Sequence, residues 1–315
     1  MTPSILRRLS ILVLLGSLGM ACACQAEPAE TRLLGEIDRL EKALAGRGDP
    51  QADSLREQLA AARQASAPAV RAYRLRDPFV GLETLAFVRE HPAAGKDLGP
   101  LEALWKERGK RFAARPASEA LQAPPLLTAL TQAAENRAEK LYRAALPYGR
   151  VDSPASGLHY LAEAEALMSF RDFISALDLP AEDETTLNPK ALQAALERIE
   201  AETLQGFAAD PVAPTMVGVS AHLKEARELF ERGSLEGAAL ELLESRLELD
   251  RRHGAGAPAA TGAQKAAEGS LLAPFAGASV SDLAPLYQSF FTGAPHAAAA
   301  STVTVTLTLI RWPYT

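Results

Sequence analysis

The apolar residues of this chain recur at helical spacing, and prolines cut the pattern into segments. Leu33, Ile37, Leu40 and Leu44 follow one another at four, three and four residues, and Leu55, Leu59, Ala62 and Ala65 at four, three and three. Both sets stay on one side of a helix. Between them lies GRGDPQ, in which Asp49 is placed to cap a helix and Pro50 to occupy its first turn. The pattern predicts an antiparallel helical hairpin over residues 30–67.

Downstream, Asp77-Pro78, His91-Pro92 and Gly99-Pro100 predict three short helices over 68–116, because a proline disfavours α geometry at the residue before it. Trp105 and Phe112 share one helical face and are expected in the core. Leu127, Leu130, Ala134, Ala138, Leu141 and Ala145 predict a long helix from Pro125 to about Leu146, ended by PYGRVDSP. Ser153 and Pro154 then form a natural N-cap and first turn for a helix reaching about Leu179. A further helix follows Asn188-Pro189, with Leu192, Leu196, Ile199 and Leu204 as its stripe. Ser220 is read as the N-cap of the helix beginning near Ala221. The expectation is an all-α protein, with residues 68–252 as a bundle, 253–280 as a flexible linker, and 281–315 as a short helix and one terminal strand.

That strand is TVTVTLTLI, residues 302–310, whose strict alternation has the period of a strand. In a helical chain it lacks an obvious mate. Val303, Val305, Leu307, Leu309 and Trp312 are therefore candidate partner-binding residues, through addition of this strand to an exposed sheet edge.

The N-terminus bears on compartment. Arg7 and Arg8 precede an apolar run, LSILVLLGSLGM, which is shorter than the ~20 residues needed to span a bilayer. The sequence holds two cysteines, Cys22 and Cys24, both just past this run. Residues 1–25 resemble a bacterial lipoprotein signal peptide ending in a lipobox, although Gly19 stands where that pattern favours leucine. The resemblance implies a leader over residues 1–23, acylation of Cys22 or Cys24, and attachment to a membrane through lipid. An exported chain in the bacterial cell envelope, facing the periplasm, is expected, or a secreted one if it is not acylated. With no cysteine after residue 24, no disulfide framework holds the folded part. The formal charge of −6 becomes −8 once Arg7 and Arg8 leave with the leader. An acidic chain without a basic stripe does not suit nucleic acid.

Residues 217–252 resemble a tetratricopeptide hairpin, with Gly233 at the turn, Ala238 in the second helix and a closing LELD. The second helix is one residue longer than the family spacing, and no neighbouring copy follows at the family's ~34-residue period. The resemblance implies a helical hairpin and nothing about peptide binding.

Candidate chemistry is sparse. There is no Gly-rich phosphate loop, no H-E-x-x-H and no G-x-S-x-G, so no cofactor is expected and an enzyme is not favoured. His159 and Glu163 lie one turn apart beside the face formed by Tyr160, Leu161, Ala164, Leu167, Met168 and Ile174. They are the candidate metal ligands, although zinc takes three or four protein ligands and no third is placed beside them by sequence. The leading expectation is a non-enzymatic envelope protein that presents helical surfaces to another envelope protein. A metal-binding protein using His159 and Glu163, and an assembly factor donating residues 302–310, are the alternatives.

Overall fold

The computed structural model describes residues 27–48, 50–92, 96–113, 123–180, 187–209, 214–252, 269–275 and 283–292. The two cysteines, the leader and the expected strand with Val303, Val305, Leu307, Leu309 and Trp312 lie outside these residues.

Six helices start on a proline, whose fixed φ suits a first turn and whose missing N–H costs nothing there. In chain order the helices are α1 (Ala29–Leu44), α2 (Pro50–Gln64), α3 (Pro68–Glu90), α4 (Gly99–Ala113) and α5 (Pro125–Val151). They continue with α6 (Pro154–Ser175), α7 (Pro189–Ala209), α8 (Pro214–Glu231), α9 (Leu235–Arg252) and α10 (Leu283–Thr292). No strand occurs among the described residues, and the all-α class holds. No helix of the described residues is long and apolar enough to cross a membrane.

The first hairpin forms as its spacing predicts. Leu33, Ile37, Leu40 and Leu44 are fully buried, as are Leu59 and Ala62 of the facing helix. Its core is continuous with that of the bundle, from Ala29 to Phe290. At the centre, Phe79 of α3 meets Phe170 and Phe173 of α6 at centroid distances of 5.5 and 5.9 Å. The cap at Ser153 is present: its hydroxyl accepts a hydrogen bond from the Ser156 amide at 3.2 Å.

Several expectations are overturned. Pro78 does not break α3, and Pro147 does not end α5; each sits inside its helix. An interior proline removes one backbone hydrogen bond at a cost of about 3 kcal/mol. Around Pro78 the burial of Leu75, Phe79 and Leu82 offsets this, since each buried apolar side chain contributes about 1.5–3 kcal/mol. Ser220 lies within α8 rather than capping it, because the helix begins at Pro214. Leu204, placed on the buried stripe of α7, is exposed. Residues 269–275, inside the expected linker, are packed: Leu271, Leu272 and Phe275 are buried, and Gly269 accepts a hydrogen bond from the Leu126 amide.

Two features position the cleft described below. Where α5 crosses α6, a Cβ on Gly157 would lie 2.5 Å from the Ala145 carbonyl oxygen and 2.8 Å from the Gly149 Cα. Only glycine allows this approach. Helix α4 is fastened to α5 through Tyr142, whose ring lies between Trp105 and Phe112 at 5.1 and 4.3 Å. Tyr142 donates its hydroxyl to the Trp105 carbonyl at 2.9 Å, and the Trp105 indole donates to the Tyr142 carbonyl at 3.0 Å. Trp105 and Phe112 thus share a packed face, as their spacing predicts.

Candidate metal centre

The α8–α9 hairpin turns at Gly233, whose φ of +78° is a conformation few residues other than glycine adopt. The turn sets α8 antiparallel to α9 and brings His222 against Glu241 and Glu244. The two glutamates are three residues apart, so both project from one side of α9. The His222 Nδ1 lies 2.7 Å from Oε2 of Glu241 and 3.3 Å from Oε2 of Glu244. The glutamate side chains are 8% and 7% exposed, while that of His222 is 30% exposed. One ligand atom from each of the three lies within 4.8 Å of the others.

Helix α3 supplies a cation behind the carboxylates. Nη1 of Arg76 donates to Oε1 of Glu244 at 3.2 Å, and its Nε donates to Asp77 at 2.9 Å. The guanidinium also lies 5.3 Å from the centroid of the Tyr73 ring. Glu244 therefore turns one oxygen to Arg76 and the other to His222.

The electrostatics follow from burial. Burial works against the charge on His222, but the hydrogen bond it donates to Glu241 and the charge of Glu244 outweigh it, and the imidazole is held above its ordinary value. Burial raises Glu241, with the His222 contact pulling the other way. Burial likewise opposes the charge on Arg76, and Glu244 with Asp77 reverses the balance. The charge of Arg76 holds Asp77 below the usual carboxylate range. Burial, then the charge of Glu244, pushes the Tyr73 hydroxyl up.

Arg76, Asp77, His222, Glu241 and Glu244 line a cleft of about 890 Å³ bounded by α3, α5, α6, α8 and α9. His159 and Glu163, the pair singled out from sequence, also line it. Among the described residues no hydrogen bond or ion pair joins them to the triad. Glu163 accepts from Arg137 of α5 at 2.6 Å, and His159 is exposed. The pair singled out from sequence and the triad thus line the same cleft, and it is the triad that brings three ligand atoms together. Nothing local in the sequence marks His222 as a ligand, because its partners are 19 and 22 residues later, across the hairpin turn. The signal was available in the hairpin itself, since an antiparallel pair turning at Gly233 aligns His222 with the middle of α9.

Chemically, one imidazole and two carboxylates can hold a divalent first-row metal ion, with bonds of about 2.0–2.2 Å and positions left over for water or another ligand. Oε1 of Glu244 stays with Arg76 in such an arrangement, which fixes the carboxylate's orientation as an outer-shell partner does. Comparisons of the chain with protein-family models, with curated proteins and with solved structures gave no match.

Proposed function

We propose that this protein is an exported, helical metal-binding protein whose ion is held by His222, Glu241 and Glu244. The observation that carries the reading is the meeting of three ligand atoms within 4.8 Å at the wall of a large cleft. Glu241 adds a physical reason. A buried carboxylate is costly unless paired, and its pairing with His222 uses a proton that a metal ion would replace. The reading keeps the expected envelope location, which rests on Arg7, Arg8, the apolar run and the cysteines beside it. It replaces surface presentation by a defined binding site, and moves the metal from His159 and Glu163 to the hairpin.

The test is a calorimetric titration of chelator-treated protein, purified without a histidine tag, with Mn²⁺, Fe²⁺ and Zn²⁺. One ion per chain is expected, with affinity at least about tenfold weaker in His222→Ala and Glu241→Gln. His159→Ala should bind as the parent does. Absence of binding, or equal affinity in His222→Ala, would end the proposal.

A further inference from the structure

The lining of the cleft is of two chemical kinds. The polar part comprises the triad, Arg76 and, on α5, Arg137 and Lys140. Lys140 is held by Glu225 and Glu228 of α8 at 2.6 and 2.8 Å, which places it level with the hairpin. Along α5 the lining continues with Leu141, Ala144 and Tyr148, joined by Leu85 of α3 and by His159 and Tyr160 of α6. The two tyrosine rings meet edge to face at 4.6 Å, and Tyr148 is 49% exposed. From Lys140 to Tyr148 the helix rises about 12 Å at 1.5 Å per residue.

The charge balance also has a direction. Arg76, Arg137, Lys140 and Lys224 line the cleft. Five carboxylates oppose them: Asp77, Glu163, Glu225, Glu241 and Glu244. With His222 neutral as a ligand, the lining carries −1, and a divalent ion makes it +1. Thr84, which also lines the cleft, is 4% exposed and its hydroxyl has no hydrogen-bond partner among the described residues. The volume lies within the range of small-molecule sites, about 300–1,000 Å³.

We infer that the metal-loaded cleft binds an amphipathic monocarboxylic acid of medium chain length. Its carboxylate completes the coordination of the ion on His222, Glu241 and Glu244, and its apolar chain runs between Leu85, Leu141 and Ala144 toward Tyr148 and Tyr160. This inference rests on the metal reading above. Three protein ligands leave the ion open on the side of the cleft, an anion answers the +1 lining, and the ~12 Å of α5 from Lys140 to Tyr148 is about as long as such a chain. No covalent step is involved.

The experiment uses the full mature chain, first titrated with Zn²⁺ and Co²⁺ to establish loading, then with sodium decanoate, sodium acetate and 1-decanol. Decanoate is expected to bind the loaded protein at least about tenfold more tightly than the metal-free protein, and more tightly than either control by a similar factor. It should change the visible spectrum of the Co²⁺ form, as a new ligand on the ion does. Ala144→Trp should abolish decanoate binding while metal affinity stays within about twofold. Tyr148→Ser, at an exposed position that leaves folding intact, should weaken decanoate and leave acetate unchanged.

If metal loads normally but decanoate binds no better than 1-decanol, or leaves the Co²⁺ spectrum unchanged, the acid is excluded while the metal site stands. Unaltered decanoate binding in both variants would place the acid elsewhere and overturn the inference. If no metal loads, both readings fall, and the first titration alone shows it.

Discussion

Glu241 and Glu244 sit one turn apart, are equally buried and touch the same histidine, yet removing the charge from each should have different consequences for the metal-free fold. In Glu241→Gln the amide oxygen still accepts from His222, so the loss is the charge-assisted part of one hydrogen bond, about 1 kcal/mol. Against this, the fold no longer holds a carboxylate that burial has driven upward. The net change should lie within about 1 kcal/mol of zero. In Glu244→Gln the amide cannot replace the charge facing Arg76, whose side chain is only 21% exposed. Breaking a buried ion pair costs about 3–5 kcal/mol. Arg76 keeps Asp77, but that carboxylate is 67% exposed and screened, so about 2–3 kcal/mol should remain. At about 2–4 °C per kcal/mol for a chain of this size, the melting temperature should fall by about 4–12 °C in Glu244→Gln and by at most about 4 °C in Glu241→Gln. Urea unfolding of chelator-treated protein, followed by far-ultraviolet circular dichroism, measures both. Equal losses in the two variants would refute the idea that Arg76, rather than burial alone, decides what each carboxylate contributes.

The pH dependence should reverse on loading. His222 is raised in the fold, so its contribution to the metal-free protein is complete below about pH 6.5 and is lost as pH rises through its folded value. The raised Glu241 acts in the same direction. Metal must displace the imidazole proton, so the stabilisation it confers should grow with pH over the same window; melting curves with and without Zn²⁺ between about pH 5.5 and 8.5 should show opposite slopes, and His222→Ala should remove the difference. Gly157→Ala should cost about 1–3 kcal/mol by forcing α5 from α6, read as a lowered urea midpoint. Tyr142→Phe should cost about 1 kcal/mol through the lost hydrogen bond to Trp105, with unchanged metal affinity by calorimetry. Intact mass of protein expressed with its own leader in a bacterial host should equal the chain from Cys22 or Cys24 plus acyl groups, and an unmodified chain would show that it is not a lipoprotein.

The helices were legible wherever an apolar stripe repeated along one face. Leu33, Ile37, Leu40 and Leu44 needed no tertiary information, and Ser153 with Pro154 marked a helix start that local hydrogen bonding realises. Pro78 and Pro147 misled because a backbone penalty of known size was read without the burial that offsets it, which is set by other helices. The triad was hidden in the sequence for a related reason. His159 and Glu163 are neighbours within one helix, the only proximity that spacing reveals directly, whereas His222 meets Glu241 and Glu244 only after a hairpin closes. Arg76 was less legible still, since its pairing with Glu244 joins residues 168 positions apart.

The glycine at the α8–α9 turn has a kinetic consequence. All three proposed ligands belong to this one hairpin, with His222 and Glu241 only 19 residues apart. A loop that short closes far faster than the long-range docking that brings up Arg76. An ion gripped by the hairpin would then be in place in the folding transition state, so loading should accelerate folding and not merely slow unfolding. Stopped-flow refolding would show metal acting on the folding limb, with Gly233 setting the pace at which the ligands meet.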